Sequence, residues 1–136
     1  MKIIDAHIHT CFETFNELKQ IIQKAKIDYS MKGLCKEMND SGISKAVSIT
    51  CNLEKKTPIN LEQIKKQIEE NNKLIGICGI NPYKTNKKCL EKTKQAIEKG
   101  IIKGLKVYCG YYKIPPISAK YFPFYKLANK VTSSPH

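Results

Sequence analysis

The sequence predicts an α/β protein built on a parallel sheet, on three observations. Four short apolar segments, opening near Ile3, Ala46, Leu74 and Ile101, have the length and composition of strands. The stretches between and after them place apolar residues three and four apart, the spacing of one helix face. Strands that alternate with helices imply parallel pairing through right-handed crossovers.

The first strand lies within Met1 to Thr10, with Ile3, Ile4, Ala6 and Ile8 as its apolar residues. A polar and aromatic loop follows to about Asn16, and Glu17 to Ile27 carries apolar residues at 18, 21, 22 and 25. Ser30 is placed to cap a second helix, with Leu34, Cys35 and Met38 facing inward and Gly42 as its stop. Ala46 to Cys51 reads as a buried strand, and the polar loop Asn52 to Pro58 leads to Asn60, a cap for a helix over Leu61 to Asn71. Leu61, Ile64 and Ile68 form the apolar stripe of that helix. Leu74 to Ile80 is the third strand, closed by Asn81-Pro82. Thr85 or Asn86 opens the next helix, which ends before Gly100. Ile101 to Tyr108 is the fourth strand; a loop rich in Gly, Tyr and Pro runs to Ala119, and a last helix covers Lys120 to Lys130. Strands 2 and 3 are apolar almost continuously, as a sheet covered on both faces requires.

Composition limits the functions open to such a fold. The chain of 136 residues, 41% hydrophobic and 26% charged, suits one soluble domain. It has no apolar run of membrane-spanning length and no signal-peptide pattern at its start, so a cytoplasmic location and no membrane partner are expected. The net charge of +12 comes from 24 lysines and no arginine. Arginine is the residue suited to bidentate phosphate and base contacts, and the lysines here are scattered among glutamates. A solvated basic surface is expected, with no nucleic-acid partner. The six cysteines, at 11, 35, 51, 78, 89 and 109, form no Cys-x-x-Cys, which argues against a structural zinc knot or a redox pair.

The residues with the clearest chemical signature are His7 and His9, two of the three histidines in the chain. Side chains alternate along a strand, so the two imidazoles point the same way, together with Ile3 and Asp5. Two neutral imidazoles on one face at a strand end can grip one metal ion. A pair of surface histidines on an edge strand is the simpler alternative; the acid two residues earlier and the apolar run leading in favour the metal. Cys11, two residues after His9, could face the same site.

Ile4-Asp-Ala-His-Ile-His9 on strand 1, Lys103-Gly-Leu-Lys-Val-Tyr108 on strand 4 and Tyr121-Phe-Pro-Phe-Tyr-Lys-Leu-Ala128 on the following helix resemble the amidohydrolase superfamily, in particular its amidohydrolase-related, metal-dependent hydrolases. The resemblance runs to about Lys130. It implies the N-terminal half of a (β/α)8 TIM barrel, with about four parallel strands and flanking helices. It also implies a divalent metal, usually zinc, held at the C-terminal mouth by the histidines that match His7 and His9, in keeping with functional residues at the C-terminal ends of barrel strands. The implied reaction is attack of a metal-activated water on a C–N, C–O or C–C bond beside a carbonyl, with decarboxylation as a variant, on a small-molecule substrate.

Strand alternation sets Gly104, Lys106 and Tyr108 on one face and Leu105 and Val107 on the other. With the apolar pair packed on helices, Lys106 points inward. In two-metal members a strand-4 lysine, carboxylated on its amine, bridges the ions, and Lys106 matches it; in single-metal members a lysine there contacts an anionic substrate. A lysine packed on the sheet with its head in solvent is the third reading. Asp5 is expected to support the histidines without direct chemistry. Tyr108, Tyr111 and Tyr112 either line a pocket or cover the core.

The resemblance stops short of a whole barrel, which takes about 250 residues. Where members continue with an apolar strand ending in histidine, this sequence has the polar Val131-Thr-Ser-Ser-Pro-His136, so residues 1–130 read as a partial barrel domain and 131–136 as an aberrant or truncated tail. His136 has neither the spacing nor the flanks of that ligand. The expectation is a truncated hydrolase that needs a second copy of itself, as a homo-oligomer, or a complementing fragment. Two alternatives stand beside it. One is a phosphoesterase of the PHP type, whose opening Asp-x-His-x-His-Thr is similar to Asp5 to Thr10 but whose next motif is replaced here by Thr50-Cys-Asn52. The other is a non-catalytic remnant or interaction module.

Overall fold

The computed structural model describes residues 2–10, 16–49 and 61–132, with no side-chain detail at 16–18, 61–63 and 130–132. The expectations placed on Cys11, Cys51, Asn60, the 52–58 loop and His136 lie outside the described residues. The elements run β1 (Ile3–Ile8), α1 (Asn16–Ala25), α2 (Met31–Asp40), β2 (Ile43–Ile49), α3 (Leu61–Glu70), β3 (Leu74–Gly79), α4 (Lys87–Glu98), β4 (Gly104–Lys106), α5 (Cys109–Tyr112) and α6 (Phe122–Thr132). The fold is α/β: one four-stranded, all-parallel sheet in the order β1-β2-β3-β4, flanked by helices and open among the described residues.

Capping fixes several helix boundaries. Ser30 accepts the N–H of Gly33 at 3.1 Å and opens α2, while Asn86, rather than Thr85, accepts that of Cys89 at 2.9 Å and opens α4. Gly42, at φ +66°, supplies the left-handed turn that ends the α2 region and lets β2 begin three residues before Ala46.

Strand register decides which side chains the helices cover. Ala46 pairs with Leu74 and Ser48 with Gly76, while Cys78 pairs with Leu105. Partners in a ladder share a face. Here that face meets the helices in three clusters: Met38, Ala46 and Leu74; Ile64, Cys78, Ala96 and Ile102; and Ile80, Ile114, Tyr121 and Phe124. Leu105 and Val107 join them. Gly76 is where α3 comes closest: a Cβ there would lie 2.8 Å from the Ile101 carbonyl oxygen and 2.9 Å from Ile68 Cδ1. Val47, Ile49, Ile75, Ile77, Gly104 and Lys106 alternate onto the opposite face.

The fourth strand is shorter than its apolar run predicts. The N–H groups of Ile101 and Ile102 both return to the carbonyl of Ala96, so these residues close α4, and Ile102 drops fully buried into the core. The chain rejoins the sheet at Lys103, whose N–H reaches Gly76 O at 2.8 Å. At the other end Tyr108 leaves the strand and the short α5 follows, in a stretch read from sequence as loop. Ile21, expected inside, is 60% exposed. Helix α6 continues to Thr132, two residues into the stretch read as a tail. No described helix is long and apolar enough to cross a membrane.

Candidate metal-binding site

The site lies at the C-terminal end of β1. Ile8 pairs with Ser48 on the helix-covered face, so His9 emerges beside Ile49 on the opposite face. The Nε2 atoms of His7 and His9 lie 3.0 Å apart, with the rings edge-on at an interplanar angle of 70°. His9 Nδ1 is 2.8 Å from the carbonyl oxygen of Ile49. A carbonyl only accepts, so His9 carries a proton on Nδ1 and turns its Nε2 lone pair towards His7 Nε2, with room for a proton or a cation between the two nitrogens.

That arrangement suits a shared cation. Two nitrogens bound to one tetrahedral zinc at about 2.0–2.1 Å sit roughly 3.3 Å apart, a few tenths from the observed spacing. A backbone carbonyl that fixes the remote ring nitrogen is the usual outer partner of a metal-binding histidine. The fit extends to two donors. Among the described residues no group of three or more His, Cys, Asp or Glu side chains could hold a metal ion.

Asp5 departs from strict alternation. The β1–β2 register shifts between Asp5 and Ile8, where three steps of β1 run against two of β2, and Asp5 pairs with Ala46 of the helix-covered face. Its carboxylate accepts the backbone N–H of His7 at 3.0 Å and so holds the strand bend that lets the two rings converge. The structure places it beside the pair as a local brace.

A buried polar cluster that the sequence reading missed anchors the same strand end from behind. Thr10 Oγ1 is 2.6 Å from Ser48 Oγ, and Gln67 Nε2 donates to the Thr10 carbonyl at 2.6 Å; its Oε1 accepts from the Thr10 hydroxyl. Thr10, Ser48 and Gln67 are all buried. The available signal was Gln67 itself, a polar residue on the inward face of α3 between Ile64 and Ile68. Buried amides are retained where their hydrogen bonds are satisfied.

Lys106 pairs with Gly79 and sits, half-buried, on the face opposite the clusters formed with α2, α3, α4 and α6, the same face as the histidines. Its ammonium lies 5.4 Å from the Tyr108 ring centroid. Three strand spacings, about 14 Å, separate β4 from β1 within this sheet. Tyr111 and Tyr112 pack edge to face on α5, and Tyr112 also meets Tyr83. Burial pushes the Tyr112 hydroxyl above its usual pKa, with Tyr111 and Tyr83 adding to the effect. Comparison with protein-family models, curated proteins and solved structures gave no match.

Proposed function

We propose that this chain binds a divalent cation, zinc foremost, through His7 and His9, and that the site is that of a metal-dependent hydrolase of amidohydrolase type. The single observation that carries this reading is the convergence of the two Nε2 atoms, with Ile49 O holding the second ring in its metal-binding tautomer. The parallel sheet of sequential strands, with α2, α3, α4 and α6 packed on one face, supports reading the fold as the first four strands of a (β/α)8 barrel. In that reading the site opens at the C-terminal mouth, on a small-molecule substrate.

Bound there, a divalent ion supplies an acidified water and polarises a carbonyl oxygen. The chain's own residues have separate tasks. His7 and His9 hold the ion, Ile49 O and Asp5 fix ring and strand, and the Thr10–Ser48–Gln67 cluster keeps the strand end from shifting. Lys106 stands on the same face as a contact for a substrate anion or, when carboxylated, as a further oxygen donor. A second reading, metal binding or interaction without turnover, is favoured by the count of two donors among the described residues, since a catalytic zinc normally has three protein ligands.

The test is equilibrium dialysis of the full chain against zinc, followed by assay on small amides and esters. Wild type is expected to retain zinc in fixed stoichiometry, and His7→Ala and His9→Ala to lose it. Zinc retained equally by both variants overturns the site. Zinc held by the histidines without hydrolysis overturns the hydrolase reading alone.

A further inference from the structure

The histidine pair, the sheet edges and the face that bears the pair point to one occupant, a second copy of this chain. Among the described residues β1 and β4 each have one hydrogen-bonded neighbour, β2 and β3 respectively. Their outer edges face opposite ways with the same strand direction. A two-fold axis parallel to the strands therefore brings β4 of one copy beside β1 of the other, in parallel, at two symmetric seams. Eight strands result, enough to close a barrel whose interior is filled by side chains.

Three features of the surface suit that closure. The β1 strand is exposed along most of its length, with Ile3 at 40% and Ile4 at 58%, an unusual composition for an edge left in water. The face that would turn inward carries the half-buried Val47, Ile75 and Ile77, with Ile49 already buried among them, opposite the clusters formed with α2, α3, α4 and α6. The two β1 strands would stand opposite each other in the closed ring, so both histidine pairs would converge on its axis at the same end. The seam also sets Lys106 of one copy next to the histidine-bearing strand of the other.

We infer that the metal site is completed between two copies, with His7 and His9 of each chain supplying two of four imidazole nitrogens to one shared ion. This rests on the reading that the pair binds metal, and it supplies donors beyond the two that the described residues of one chain bring together. Four imidazoles leave a position for water only when the ion expands to five-coordinate, a geometry zinc adopts. One ion per two chains follows directly.

Sedimentation velocity and metal analysis of the full chain, dialysed with and without zinc at physiological salt, test the inference. The expected result is a zinc-dependent dimer holding one zinc per two chains. Ile4→Lys alters a residue already in water, so the chain should still fold, shown by an unchanged circular dichroism spectrum. It is expected to weaken the dimer and zinc binding together by tenfold or more. His9→Ala should be monomeric and metal-free. A monomer with one zinc per chain overturns the shared site and leaves the proposed metal pair standing. A dimer indifferent to zinc, or Ile4→Lys with unchanged zinc binding, also overturns it. A chain that binds no zinc overturns both.

Discussion

The carbonyl oxygen of Ile49 lies 2.8 Å from Nδ1 of His9, joining the end of β2 to the ring at the end of β1. This contact presents the Nε2 lone pair at 3.0 Å from the matching atom of His7. The metal reading follows from that one relationship, since an imidazole free to flip would present either nitrogen. The first prediction concerns the pair itself. His7→Ala or His9→Ala should lower zinc affinity by at least about tenfold, the low end of what losing even an outer partner costs. Competition with a chromophoric chelator measures it.

The buried cluster behind the strand end yields a second prediction. Gln67→Ala removes the donor to the buried Thr10 carbonyl, while the Thr10 hydroxyl keeps Ser48 as a partner. An orphaned buried polar group costs about 1–3 kcal/mol. Urea unfolding should show a loss of that order, and zinc affinity should fall with it, because the strand bearing His9 loses its anchor.

A third prediction tests the close approach of α3 to the sheet. Gly76→Ala places a Cβ 2.8 Å from the Ile101 carbonyl and 2.9 Å from Ile68 Cδ1, so backbone must move. Overpacking of this kind costs about 1–3 kcal/mol. A drop in the thermal midpoint with an unchanged far-ultraviolet spectrum is expected; an unchanged midpoint would contradict the packing.

Alkaline pH provides the fourth. Burial raises the pKa of Tyr112 and Tyr121 above the ordinary 10.0 and that of Cys89 above 9.0. A group raised in the folded state holds its proton there after the unfolded chain has released it. Stability is then complete below the unfolded value and declines as pH rises from that value through the folded one. Unfolding free energy should therefore fall from about pH 9 upward. Tyr121→Phe should flatten the decline. It should also leave neutral-pH stability unchanged or higher, since the Tyr121 hydroxyl is buried with no hydrogen-bond partner among the described residues.

The strand and helix order was legible in the sequence because hydrophobic period and caps agree at Ser30, Gly42, Asn86 and Gly100. The face assignment of Leu105 and Lys106 was legible for the same reason. Where the reading failed, a local hydrogen bond competed with the pattern. Ile101 and Ile102 look like strand but satisfy Ala96 as the end of α4. Asp5 looks like a neighbour of the histidines by alternation, but the register shift in β1 makes it a backbone acceptor. The histidine pair was visible as His-x-His. The carbonyl that orients it was not, since a backbone atom 40 residues away leaves no mark on composition.

X-ray absorption at the zinc edge, on the zinc-loaded full chain, tests the central claim most directly. The account predicts a nitrogen shell at about 2.0–2.1 Å with the outer-shell features of imidazole, abolished in the His7→Ala/His9→Ala double variant. A shell dominated by sulfur at about 2.3 Å, or an imidazole signal that survives both substitutions, would contradict it.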